Sequence, residues 1–135
     1  GNGSIIARIT GVQNPYWGSR FGIMIREGPT PTGANVFAGI QDFNQIDYQW
    51  RSSLGAETAR ALGGGVSPPQ WLKLVRQGNV FTAFTSSDGA NWSQVGSAQT
   101  VPMGSTVYAG LAVASNDVGS PRSATFDSVA VVSGQ

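Results

Sequence analysis

Reactive side chains are scarce in this 135-residue chain, and their spacing narrows the chemistry further. It has no histidine and no cysteine. That removes Ser-His-Asp catalysis, histidine-based metal sites, the usual proton shuttle near neutral pH, and disulfides. A glycosidase needs two carboxylates a few ångströms apart. Glu27 and Glu57 lie far apart in the sequence, and no strand carries carboxylates at alternate positions. Asp42 and Asp47 flank a turn and could converge, but a solvated turn is the plainer reading. The expectation is a protein that binds rather than one that catalyses.

Binding chemistry is better represented. Sugars stack their apolar C–H face on Trp or Tyr, while Asp, Asn, Gln and Arg bond their hydroxyls. Tyr16 and Trp17 sit in a polar loop, where a core role and a ligand role are equally natural for Trp17. Asp47, Gln49 and Arg51 alternate along one face of a β-like run, and Gln41 lies on the neighbouring run. These six residues are the expected ligand site. For Arg26 and Arg51 a structural pairing with Glu27 or Asp47 is at least as natural as a ligand contact. Tyr48, Trp50, Trp71 and Trp92 are expected in the core, where large aromatics most often lie.

Asp88, Asn116 and Asp117 are the candidate calcium oxygens. No dense Asp/Asn cluster surrounds them, so the expectation is no cofactor, with a structural calcium as the alternative. Asn2-Gly3-Ser4 and Asn91-Trp92-Ser93 match the glycosylation sequon, a pattern that also arises by chance. Ser86-Ser87-Asp88-Gly89-Ala90-Asn91-Trp92 resembles a single, shortened Asp-box hairpin, whose Asp caps turn N–H groups.

Composition bounds the elements that must position these residues. Charged residues make up 11%, well under the roughly 25% of an average soluble domain, and the net charge is +1. There is no basic run, so nucleic acid is not an expected partner. No apolar run approaches the roughly 18 residues of a membrane span. The 19 glycines sit largely at turns, without a collagen period. The picture is a turn-rich all-β domain over residues 1–135.

The organising stretch is Trp71 to Trp92. Leu72 and Leu74 alternate with Lys73, and Phe81 and Ala83 alternate with Thr82 and Phe84. Gln77-Gly78-Asn79 and Ser87-Asp88-Gly89 are turns, and Trp92 opens a third strand. Further strands are expected at 4–12, 20–27, 35–41, 45–53, 106–115 and 122–132. Residues 56–62 read as a short strand or irregular crossing rather than a helical turn, and 63–69 as a long loop. The small and apolar 106–115 reads as a central strand. A bulge is expected near Asp127, where the apolar phase slips. About nine strands with turns every 8–12 residues indicate an antiparallel two-sheet β-sandwich.

RFGIMIRE, QWLKLVRQGNVFTAFTSSDGANWSQVGS, VYAGLAVAS and ATFDSVAVV occur in that order. Together they resemble the laminin-G-like jelly rolls of the concanavalin A-like lectin/glucanase superfamily. Such domains occur in bacterial secreted multidomain proteins, often beside glycoside hydrolases, and often hold a structural calcium. The resemblance implies a jelly-roll fold and a secreted, non-catalytic, lectin-like module that binds a polysaccharide or glycan. The rival expectation is a structural subunit of an extracellular assembly or adhesin, joined by strand or edge pairing between copies. Such domains usually carry roughly two more strands before the segment matching residues 1–12. The expectation is therefore an exposed sheet edge, filled by further strands of the same protein or by a strand from another copy.

Overall fold

Period-two alternation decides which side of each strand is buried. The computed structural model describes residues 2–13, 20–28, 34–41, 45–51, 59–65, 69–104, 107–114 and 123–133. Among these, ten strands form, in chain order β1 Gly3–Gln13, β2 Arg20–Arg26, β3 Asn35–Gln41, β4 Gln45–Arg51, β5 Ala59–Gly65, β6 Gln70–Gln77, β7 Val80–Ser86, β8 Ser93–Thr100, β9 Tyr108–Ala114 and β10 Ser123–Ser133. They build two five-stranded antiparallel sheets, in the orders β10-β1-β6-β7-β8 and β5-β4-β3-β2-β9. The expected all-β sandwich is the observed fold. Among the described residues no helix is long and apolar enough to cross a membrane.

The core lies between the sheets. Ile5, Ala7 and Ile9 of β1, Leu72 and Leu74 of β6, and Phe81 and Ala83 of β7 are fully buried from one side. Phe21, Ile23, Val36, Ile40, Ile46 and Tyr48 meet them from the other. Tyr48 brings a hydroxyl into this apolar layer and donates it to the Phe81 carbonyl at 3.1 Å. That bond satisfies a group that is costly to bury alone. Burial pushes the phenol up to about 12.

Several elements depart from the sequence reading. Residues 63–65, expected as loop, complete β5, with Gly65 pairing Gln45. β8 begins at Ser93 rather than at Trp92. Trp71 and Trp92 lie on the outer face of the β1 sheet, outside the core. The ring centroids are 6.5 Å apart in an edge contact, and Lys73 Nζ stands 4.3 Å from the Trp92 ring and 4.9 Å from Phe84. The phase of β6 requires this, because Leu72 and Leu74 already claim the inward positions. The expected bulge near Asp127 is present. Ile6 pairs Ala130 and Arg8 pairs Asp127, so β10 spends one extra residue, and Ser128 takes a positive φ of 55°. The bulge sets Asp127 opposite Arg8, whose Nε donates to the carboxylate at 2.7 Å. That hydrogen bond holds the Asp127 carboxyl below its ordinary value.

β9 is not central. Among the described strands it forms an edge beyond β2, and β10 forms an edge beyond β1 at the same end of the sandwich. Leu111 pairs with buried Ile23 and therefore points inward, yet it is 46% exposed. Val131 pairs with buried Ile5 and is 56% exposed. Among the described residues the core is thus closed between β5 and β8 and open between β9 and β10. β1 itself pairs on both sides, so it offers no free edge.

Candidate functional site

The outer face of the β2 sheet is read directly from its register. Across β9, β2, β3 and β4, Tyr108, Arg26, Asn35 and Arg51 stand in one row. Gly110, Met24, Phe37 and Gln49 form the next, and Ala112, Gly22, Gly39 and Asp47 the third. Directly paired residues share a face, so these side chains converge on one surface.

Glycine shapes the floor. Gly22 and Gly39 face each other across β2 and β3. A Cβ added at Gly39 would stand 2.3 Å from the Phe21 carbonyl oxygen and 2.6 Å from Cζ of Phe37. The missing side chains let the Phe37 ring fold down over the sheet, and although it belongs to the outer row, Phe37 is only 5% exposed. Phe37 and Met24 thus give an apolar floor. Arg20, Asn35, Gln49 and Arg51 rise around it and, with Ala112, enclose a cavity of about 210 Å³. A second depression of about 480 Å³ shares Met24 and Ala112, takes in Arg26 and Tyr108, and runs over the β9 edge. Tyr108 is 54% exposed. The groove therefore combines an apolar floor, amide and guanidinium donors on its walls, and an exposed aromatic ring at its mouth.

The six expected ligand residues are treated differently by this geometry. Gln49 and Arg51 line the cavity. Asp47 belongs to the same face but is fully buried, and Gln49 Nε2 donates to its Oδ2 at 2.7 Å. Asp47 therefore acts beneath the groove, orienting Gln49, rather than as a surface ligand. Gln41 pairs with Arg20 and Gln45 at the groove's far row; its side chain lies outside the described ones. Tyr16 and Trp17 lie outside the described residues. Arg20, Met24, Asn35, Phe37 and Tyr108 are site residues that the sequence reading did not choose. The available signal was the strand phase, which sets Met24 and Arg26 on one face of β2 opposite the buried Phe21, Ile23 and Ile25.

Of the calcium candidates, Asn116 and Asp117 lie outside the described residues. Asp88 is occupied as a turn cap. Its Oδ1 accepts from the backbone N–H of Asn91 at 2.8 Å and of Ala90 at 2.9 Å, and its Oδ2 accepts from Asn91 Nδ2 at 2.8 Å. These bonds, the Asn91 backbone N–H first, hold the Asp88 carboxyl well below the usual carboxylate range. No group of three or more potential metal ligands forms among the described residues.

The outer face of the β1 sheet is a weaker candidate. Its rings are engaged by their own neighbours: Trp71 by Gly89 and by Arg8 at 5.8 Å, and Trp92 by Lys73. A depression of about 360 Å³ lies beside Ile6, Lys73 and Val75, but its Arg76 is turned inward to the Gly78 and Met103 carbonyls, each at 2.7 Å.

No family model matches this sequence, and no curated protein matches it. The chain is similar in structure to a functionally unknown protein from Saccharomyces cerevisiae, with a TM-score of 0.78 and 19% sequence identity. The match covers 99% of this chain and 70% of the yeast protein. At that identity the likeness speaks to the fold, and it supports the two-sheet sandwich.

Proposed function

We propose that this protein is a secreted, non-catalytic, lectin-like module that binds a polysaccharide or glycan on the outer face of the β2 sheet. The observation that carries the reading is the cavity in which Arg20, Asn35, Gln49 and Arg51 surround the Phe37 and Met24 floor. Pyranose rings present apolar C–H faces and a rim of hydroxyls, and this surface offers both complements. The resemblance to laminin-G-like jelly rolls supports the secreted setting and the class of ligand. A non-catalytic role is supported by the carboxylates. Glycoside hydrolysis uses a pair, whereas the described groove holds only Asp47, which is buried and bonded by Gln49. The test is a glycan array followed by calorimetric titration of its best binder. Gln49→Ala and Tyr108→Ala should each weaken binding with little change in melting temperature. Equal affinity in both variants overturns the site, and an array without binders overturns the function.

A second reading is favoured by one separate observation, the open end of the sandwich. Leu111 and Val131 point into the core and stay half exposed, beside the two edge strands β9 and β10. Edges of this kind pair with added strands. On this reading the chain is a structural subunit of an extracellular assembly, joined to other copies by strand or edge pairing.

A further inference from the structure

The charges on the groove select among glycans, and this selection rests on the carbohydrate reading above. Arg20 and Arg26 both project from the outer face of β2, six residues apart, which is roughly 20 Å along a strand. Arg20 lines the cavity over Phe37, and Arg26 lines the depression that continues it across β9. Among the described residues neither has a carboxylate partner; the ion pair formed there joins Arg8 to Asp127 on the opposite sheet. Arg51 adds a third guanidinium to the cavity wall. Asp47, the acidic residue of this face among the described ones, is fully buried beneath the groove and accepts from Gln49, so its carboxylate is not presented to a ligand. Glu27, just beyond β2, is turned to the backbone N–H of Gly104 at 3.1 Å. The groove is thus locally cationic on a chain whose net charge is only +1.

We infer that the preferred ligand is an acidic polysaccharide, one whose sugars carry carboxylate or sulfate groups. Arg20 and Arg26 bind two such oxyanions while Met24 and Tyr108, above the Phe37 floor, pack against the ring faces. Guanidinium is suited to this task because its planar fork meets two oxyanion oxygens at once and remains charged throughout the physiological range. A neutral glycan would leave two guanidinium groups without a matching charge and so gain less. The separation of the two arginines also calls for a chain rather than a single sugar, since one monosaccharide cannot span roughly 20 Å. A nucleic acid is also a polyanion, but the chain has no basic run to follow its backbone.

Calorimetric titration at low and at physiological salt tests this with four probes: polygalacturonate, dextran sulfate, neutral dextran and a single-stranded oligothymidylate. Wild-type protein should bind one or both acidic polysaccharides more tightly than dextran, and the affinity should fall as salt rises. Binding of polygalacturonate alone assigns carboxylate as the recognised group, and binding of dextran sulfate alone assigns sulfate. Arg20→Gln and Arg26→Gln should each lower that affinity about tenfold. Lys73→Gln removes the same charge from the opposite sheet and should leave it unchanged. Circular dichroism melts confirm that the variants fold, and galacturonate hexamers, long enough to span roughly 20 Å, compared with the monomer test the length requirement. Dextran bound as tightly as the acidic polymers, with Gln49→Ala weakening it, overturns the inference and leaves the carbohydrate reading standing. No binding to any of the three polysaccharides, or to any array glycan, overturns both. Oligothymidylate binding equal to that of the acidic polysaccharides overturns the inference in favour of a general polyanion site.

Discussion

Gln49 Nε2 donates to Asp47 Oδ2 at 2.7 Å, and this one bond divides the expected polar face of β4 into a buried support and a part-buried donor that lines the groove. Asp47 is fully buried. Removing its carboxylate leaves the part-buried Gln49 amide without this acceptor, which typically costs about 1–3 kcal/mol. Asp47→Ala should therefore lower stability in urea by about that amount. Gln49→Ala should cost less in stability and more in ligand affinity. Equal effects of the two variants on both quantities would show that the division is wrong.

The β7–β8 turn depends on Asp88 and Gly89 for different reasons. Gly89 has a φ of 77°, and a Cβ there would stand 2.8 Å from the Trp71 ring. Gly89→Ala should lose about 1–2 kcal/mol or more from the left-handed backbone alone, plus the cost of displacing Trp71. Asp88→Asn should lower the melting temperature by about 3–5 °C at neutral pH, through loss of part of the cap. The folded Asp88 carboxyl lies below its ordinary value, so its contribution is present above about pH 4 and is lost as the pH falls further. The gap in melting temperature between wild type and Asp88→Asn should shrink on acidification below about pH 4. A gap constant from pH 7 to pH 2 would contradict the cap.

Tyr48 predicts behaviour at the alkaline end. Its folded phenol is raised to about 12 from an ordinary value of 10.0. The sign follows from proton release. Below about pH 10 both states keep the proton, and between about 10 and 12 only the unfolded state loses it, so stability declines across that window. Tyr48→Phe should cost about 1 kcal/mol at neutral pH, since the Phe81 carbonyl loses its donor. It should also flatten the decline above pH 10. Absorbance at 295 nm checks the phenol directly.

The open end between β9 and β10 should make the 135-residue chain sticky. Leu111 and Val131 each forgo part of the roughly 1.5–3 kcal/mol that full burial of such a side chain brings. Sedimentation velocity should show association that Leu111→Lys with Val131→Lys abolishes without unfolding the sandwich. Monomeric wild type that does not bind a hydrophobic dye would rule out an exposed core end.

Much of this architecture was legible in the sequence, and the exceptions have physical causes. Strands such as β2 and β6 alternate strictly, so their buried faces could be read directly. The slip in apolar phase around Phe126 located the bulge. β9 misled because Ala109, Gly110 and Ala112 are small on both faces. A small-residue strand looks central, although here it is an edge whose inward Leu111 stays exposed. Residue type alone points Trp71 and Trp92 to the core, while the phase set by Leu72 and Leu74 turns Trp71 outward. The end of β5 reads as loop from sequence because its three consecutive glycines carry no alternation at all. The groove was only half legible. Gln49 and Arg51 follow from the phase of β4, but which strands lie beside it depends on sheet order. Arg20, Phe37 and Tyr108 become neighbours of that face only through the β4-β3-β2-β9 arrangement.

The most direct test of the central claim is an amide NMR titration of isotope-labelled protein with the best glycan binder. Shifts should cluster in Arg20–Arg26, Asn35–Gln41, Gln45–Arg51 and around Tyr108, with the Ser86–Trp92 turn undisturbed. Shifts centred on that turn and on Lys73, or no shifts at saturating glycan, would contradict it.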